Sequence, residues 1–210
     1  MNHSHSVKNL IFDLGGVIID LSVNKTMESF SILSGIHQEK VNEIYTSTPG
    51  FEAYEKGLIN DDDFRAFVRD TFAIQSSDPE IDRCWNAMLL GLPLNKLELL
   101  LSLKEKYNVF LLSNTNNIHI EYVNGIMLPA INQNTTLDRY VHRAYYSHIM
   151  KKRKPDADIF EEVLEENNLR PELTLFLDDN ADNIDAAKRL GIKTAHVQSP
   201  NFILDYFNGS

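Results

Sequence analysis

VKNLIFDLGG, residues Val7–Gly16, is an apolar run that closes on an aspartate and two glycines. Leu10, Ile11 and Phe12 follow one another with no polar residue between them, which predicts a strand buried on both faces, the kind found inside a parallel sheet. Asp13 falls at the carboxyl end of that strand. Gly15 and Gly16 let the backbone turn tightly and bring amides and carbonyls close to a ligand.

Outward from this run the pattern repeats. NVFLLSN (Asn108–Asn114) and TLFLDD (Thr174–Asp179) are further buried strands that end on polar groups, and AYYS (Ala144–Ser147) and IKTAHV (Ile192–Val197) read as shorter ones. Helical patterns separate them: Leu94–Tyr107, a helix with Pro155 in its first turn that runs to about Asn167, and one that stops at Gly191. Strands alternating with helices predict an α/β fold with a parallel sheet flanked by helices. Residues 21–92 look helical and amphipathic throughout, with no strand. NDDDFRAFVRDTF begins with Asn60 as an N-cap and acids in the first turn. This block reads as a small helical cap inserted after the first strand, with the core formed by residues 1–20 and 93–210. Asn116–Arg143 reads as irregular, with some helix before Gly125.

The 210 residues suit one domain with a modest insertion, and a 43% hydrophobic content is ordinary for a globular chain. A net charge of −10 with no basic stripe argues against nucleic acid as a partner. No window is apolar enough for a membrane span and the start has no secretory pattern, so the expectation is a soluble, cytoplasmic protein. The single cysteine, Cys84, allows no intrachain disulfide. His3 and His5 read as part of a frayed terminus rather than a metal site.

Four polar segments supply chemistry. Asp13 is a candidate nucleophile toward phosphorus; alone, it reads equally well as a cap on a strand-to-loop turn. Ser113 and Asn114 offer a hydroxyl and an amide to phosphate oxygens, or form a simple polar turn. Lys154, in RKPD, would offset the repulsion between a phosphate dianion and Asp13, although KKRK alone reads as a solvated basic patch. Asp178 and Asp179 end an apolar strand, where paired acids are costly unless something binds them; Mg2+ suits such hard oxygen ligands. Asp178 could join Asp13 at the ion, with Asp179 accepting from water or orienting Lys154. Asn180 and Asp182 read as caps of the next helix.

FDLGGVIID, LLSNT, RKPD and FLDDNADNIDAAKRLGI together resemble motifs I to IV of the haloacid dehalogenase superfamily, over about Val7 to Phe207. The last two look most like the subgroup that includes bacterial alpha-D-glucose-1-phosphate phosphatase. The resemblance implies a Rossmann-like core, a helical cap and Mg2+-dependent phosphatase chemistry on a small phosphate ester, such as a sugar phosphate. It implies Asp13 as nucleophile, Ser113 and Asn114 as phosphate donors, Lys154 as charge clamp and phosphate contact, and Asp13, Asp178 and the Gly15 carbonyl as metal ligands. One departure matters. Most phosphatases of the superfamily carry an acid–base aspartate where this chain has Gly15, whereas the glucose-1-phosphate subgroup also has Gly. Either the substrate has a good leaving group, or a cap acid such as Glu52 or Glu55 substitutes, or the chain binds phosphate with little turnover. A metal-free hydrolytic 2-haloacid dehalogenase is the other enzymatic reading, opposed by the acid pair and by the lack of an arginine near motif I.

Overall fold

Leu10, Phe12, Val109, Leu111, Leu175 and Leu177 pack into one apolar cluster, while Ile11, Phe110, Leu112 and Phe176 pack into another. Alternate residues of three neighbouring strands therefore feed opposite layers, as a sheet covered on both faces requires. In this computed structural model, which describes residues 6–133 and 135–208, the elements run in the following order. The first strand, β1 (Asn9–Phe12), leads to a short strand β2 (Asp20–Leu21). Five helices follow: α1 (Val23–Ser34), α2 (Gln38–Ser47), α3 (Pro49–Glu55), α4 (Asp61–Phe72) and α5 (Asp78–Asn86). Then come β3 (Leu89–Gly91), α6 (Leu94–Lys104), β4 (Asn108–Ser113), α7 (Asn117–Tyr122), a π-helical turn (Val123–Met127) and α8 (Leu128–Ile131). The remainder is β5 (Arg143–Tyr146), α9 (Ser147–Met150), α10 (Ala157–Glu166), β6 (Thr174–Asp178), α11 (Ala181–Arg189), β7 (Lys193–His196) and α12 (Phe202–Asn208). His3 and His5 lie outside the described residues.

The main sheet has five parallel strands in the order β5-β4-β1-β6-β7. This is the expected α/β core, with β1 at the centre. Sequence-distant strand ends, Phe12, Ser113, Tyr146, Asp178 and His196, therefore emerge along one edge, where open α/β sheets place their ligands. The tail helix packs on the core through buried Ile203 and through Phe207, whose ring lies 6.0 Å from that of Phe12.

The helical block between β2 and β3 has its own core of Met27, Phe30, Phe51, Phe64, Phe72 and Trp85, among others. Asn60 caps α4 as its sequence position predicts, accepting from the Asp63 amide at 2.9 Å. Three local expectations change. The block is not free of strand: β2 and β3 pair as an antiparallel two-stranded ribbon at its base. Elements of two and three residues are too short to show a period of two. The helix α10 starts at Ala157 after the extended N-cap Asp156, so Pro155 precedes it and does not lie in its first turn. Helical structure also continues through Gly125 in the π-helical turn. Among the described residues no helix is long and apolar enough to cross a membrane.

Candidate active site

Lys154 has 1% of its surface exposed, and its ammonium lies between two acids. Nζ donates to Asp13 Oδ1 at 2.9 Å, to Asp178 Oδ2 at 2.7 Å and to the Leu112 carbonyl at 2.8 Å. An ammonium has three hydrogens, and these three bonds occupy all of them. Its net position in charge follows from its neighbours. Burial works against the charged amine, but Asp13 and Asp178 outweigh burial and raise its pKa. Asp13, at the β1 terminus, is also buried; burial raises its carboxyl well above the ordinary range, Lys154 opposes that, and Asp178 adds to it. Its backbone amide donates to the Leu177 carbonyl at 2.9 Å, which fixes the end of β1 against β6.

Asp178 is fully buried. Its Oδ1 accepts from the Asn180 amide at 2.8 Å, and Asn183 Nδ2 lies 3.1 Å from both carboxylate oxygens. Asn180 in turn caps α11 by accepting from the amides of Asp182 and Asn183. Asp179 sits beside the glycine turn: a Cβ on Gly16, whose φ is +73°, would fall 2.2 Å from Asp179 Oδ2. Asp179 is not among the hydrogen-bond partners of Lys154, so that lysine is oriented by Asp13, Asp178 and Leu112 instead. Burial first, and then the neighbouring Asp178, raise the Asp179 carboxyl.

Asp13, Asp178 and Asp179 each present an oxygen within 4.8 Å of the others. Three carboxylates face one ammonium here, and the backbone of Gly16 leaves no room for a side chain between them. The donor set is all hard oxygen and carries surplus negative charge, which fits a hydrated divalent cation of the Mg2+ type.

Ser113 is buried at the end of β4, and its hydroxyl lies 3.4 Å from the Asn114 carbonyl. Asn114 does something other than what its sequence position suggests. Its Nδ2 donates to the Lys154 carbonyl at 2.8 Å, and its Oδ1 accepts from the Lys154 amide at 2.9 Å. The side chain clamps the backbone that carries the lysine, so its carboxamide oxygen and one amide hydrogen are engaged. Gly15 lies under the ribbon: a Cβ there would sit 3.1 Å from Leu21 Cδ2. An acid at this position would have to displace Leu21.

Ser147 escapes a reading of the sequence, and Glu55 and Asn183 take roles there that differ from the acid and the cap their positions suggest. Ser147 accepts from the Thr115 amide at 2.9 Å, and its hydroxyl faces the Glu55 carbonyl at 2.6 Å and the Thr115 carbonyl at 3.0 Å. It therefore joins the end of α3 to the loop after β4. Glu55 pairs with Arg153 through Oε2 and Nε at 2.9 Å, whereas Glu52 is exposed and paired with Lys56 at 2.9 Å. A cavity of about 110 Å³ lies between cap and core, lined among others by Gly15, Ser113, Asn114, Tyr45 and Glu55. Asn183 had a sequence signal, since it stands in the first turn of a helix that starts at the end of an acid-bearing strand. Ser147 had none, and Glu55 stood out only as a candidate acid of the cap, because the partners of both are distant in the chain.

A parallel sheet with acids and a buried lysine at its carboxyl edge, under a helical cap, is the arrangement of a hydrolase. The family model for haloacid dehalogenase-like hydrolases matches residues 7–191, and the chain belongs to that family. It is 30% identical over 188 residues to D-ribitol-5-phosphate phosphatase of Bacteroides thetaiotaomicron, covering 90% of each chain. It is also similar to the crystal structure of a HAD family enzyme from Bacteroides thetaiotaomicron in complex with magnesium and inorganic phosphate, with TM-score 0.84, 38% identity and coverage of 91% and 94% of the two chains. A predicted HAD-like family hydrolase from Porphyromonas gingivalis superposes with TM-score 0.87 at 28% identity, covering 96% and 97%.

Proposed function

We propose that this protein is a Mg2+-dependent phosphatase acting on a small phosphorylated sugar or sugar alcohol through a phosphorylated Asp13. The observation that carries this reading is the Asp13–Lys154–Asp178 triad, with ammonium-to-carboxylate distances of 2.9 and 2.7 Å. A buried carboxylate that faces a cation and has further acids beside it suits attack on phosphorus.

Asp13, Asp178 and the Gly15 carbonyl are the groups we assign to the ion, with Asp179 beside them. When bound, Mg2+ supplies positive charge against the phosphoryl oxygens. A carboxylate oxygen of Asp13 attacks phosphorus in line, the phosphorus–oxygen bond to the leaving group breaks, and the departing oxygen takes a proton from solvent water and leaves as the alcohol. Water then attacks the phosphorus of the aspartyl phosphate, releasing inorganic phosphate and restoring the carboxylate. Lys154 acts mainly as a buried positive charge, because its three hydrogens are already shared among protein acceptors. Ser113 donates to the phosphate, and Asn114 holds Lys154 in place.

The relative that acts on D-ribitol 5-phosphate supports the sugar-alcohol class alongside the sugar phosphates suggested by the glucose-1-phosphate phosphatase resemblance. A phosphate-release screen over sugar phosphates, sugar-alcohol phosphates, nucleotides and acyl phosphates, with and without Mg2+, tests the reading. The expected outcome is release that EDTA stops reversibly and that Asp13→Asn removes while the variant stays folded. Turnover that survives both changes rules the mechanism out. Chloride release from a 2-haloacid in EDTA would instead favour a dehalogenase.

A further inference from the structure

Tyr45 and Glu55, both from the cap, line two spaces at once. One is the cavity of about 110 Å³ shared with Ser113 and Asn114. The other is an outer cleft of about 390 Å³, to which Thr48, Glu52 and Arg153 also contribute. The two spaces share Tyr45 and Glu55 as walls, so a leaving group that reaches from Ser113 and Asn114 toward the cap meets these two side chains.

The chemistry of this shared wall is specific. Glu55 Oε2 accepts from Arg153 Nε at 2.9 Å. Among the described residues Glu55 Oε1 and the terminal nitrogens of Arg153 make no other hydrogen bond. The shared wall thus offers a carboxylate acceptor next to guanidinium donors. Hydroxyl groups both donate and accept, and match such a pair. A second phosphate or a carboxylate on the substrate would meet Glu55 with like charge. The pair is also held in place: the Glu55 carbonyl lies 2.6 Å from the Ser147 hydroxyl, and Arg153 directly precedes the buried Lys154. Burial first, and then the charge of Glu55, push the Tyr45 phenol up to about 12, so it stays a neutral donor beside the pair.

We propose that Glu55, held by Arg153, is the specificity-determining group of the cap, and that it selects leaving groups bearing hydroxyls on an extended chain, as in an acyclic polyol phosphate. This rests on the phosphatase reading above and deepens it. Glu55 recognises the leaving group and is not assigned the proton transfer missing at Gly15.

The test compares wild type, Glu55→Gln and Arg153→Lys in two measurements: the KM for D-ribitol 5-phosphate, and the inhibition constant of inorganic phosphate, which has no leaving group. Glu55→Gln is expected to raise KM at least tenfold while the phosphate inhibition constant changes less than about threefold. Arg153→Lys keeps the charge but loses the planar fork, and is expected to shift KM in the same direction, so it carries the test if Glu55→Gln does not fold. Parallel shifts in both constants would show Glu55 merely holding the cap and overturn the proposal, as would no shift in either. Wild-type release from an aryl phosphate but not from D-ribitol 5-phosphate overturns this inference alone. Release from no phosphate ester overturns the phosphatase reading and this inference with it.

Discussion

At the scale of single residues, the site is a charge problem solved by burial and pairing. Lys154 donates to three acceptors and lies 5.3 Å from the centre of the Phe176 ring, and its removal leaves Asp13 and Asp178 facing each other without a counter-ion. Breaking one partner out of a buried ionic cluster costs about 3–5 kcal/mol. Lys154→Met is therefore expected to be destabilised by that order in metal-free buffer and to regain part of the loss when Mg2+ is added. Thermal denaturation with and without Mg2+ checks this: the Mg2+-induced rise in Tm should be larger in the variant than in wild type. Gly16 sets a second condition. Its φ of +73° and the 2.2 Å approach of Asp179 Oδ2 to any Cβ exclude a side chain on two independent grounds. Gly16→Ala is expected to cost about 1–3 kcal/mol in backbone strain and to displace Asp179. Calorimetric titration should show Mg2+ affinity at least tenfold weaker, and unchanged affinity would mean that Asp179 takes no part at the ion.

At the scale of elements, the parts legible in the sequence were those whose information is local. β1, β4 and β6 announced themselves as unbroken apolar runs, because both faces of each are covered. Asn60 and Asn180 announced themselves as caps, because a cap bonds to amides two or three residues away. The ribbon of Asp20–Leu21 with Leu89–Gly91 did not, being too short to carry a pattern. Nor did the clamp of Asn114 on Lys154, or the junction at Ser147, since each depends on strands far apart in the chain being adjacent in the sheet. The start of α7 shows how much such a hidden network can do. His119 is buried, its Nδ1 lies 3.1 Å from Asn116 Nδ2, and its Nε2 lies 3.2 Å from the Trp85 carbonyl. The first contact calls for an acceptor and the second for a donor, which fits the neutral ring protonated at Nε2. Asn116 Oδ1 in turn accepts from Trp85 Nε1 at 3.2 Å, so cap and core share the network. Burial lowers the His119 pKa from 6.5 to about 4. The unfolded chain then takes up a proton that the folded one refuses. Stability from this group is complete above about pH 6.5 and falls as pH drops toward 4, by about 3 kcal/mol in full. Urea denaturation of wild type and His119→Gln between pH 6.5 and 5 should show a shallower decline in the variant. Burial also lowers His148, in the same sense, and its charge adds to the lowering of His119, so the difference between the two proteins reads His119 together with that coupling.

At the scale of the whole molecule, two of the joints between cap and core flank the site and differ in kind. On one side are the Glu55–Arg153 pair and the Ser147 junction, next to the cavity. On the other is the ribbon, whose Asp20 accepts from Lys96 of α6 at 3.0 Å. The two members of this second pair are unequally buried: the Lys96 side chain is 2% exposed and that of Asp20 is 41% exposed. That inequality predicts unequal costs. Lys96→Met leaves a carboxylate that water can solvate, and replaces a buried ammonium with an apolar chain of similar length, so the loss should be small. Asp20→Asn leaves a buried ammonium without a counter-charge, which should cost several times more, about 3 kcal/mol or above. In the double variant neither charge remains, and its stability should return close to that of Lys96→Met. A double-mutant cycle by chemical denaturation reads all three values. Equal losses in the two single variants would mean that the Lys96 ammonium reaches water, and the joint would then be a surface ion pair with little hold on the ribbon.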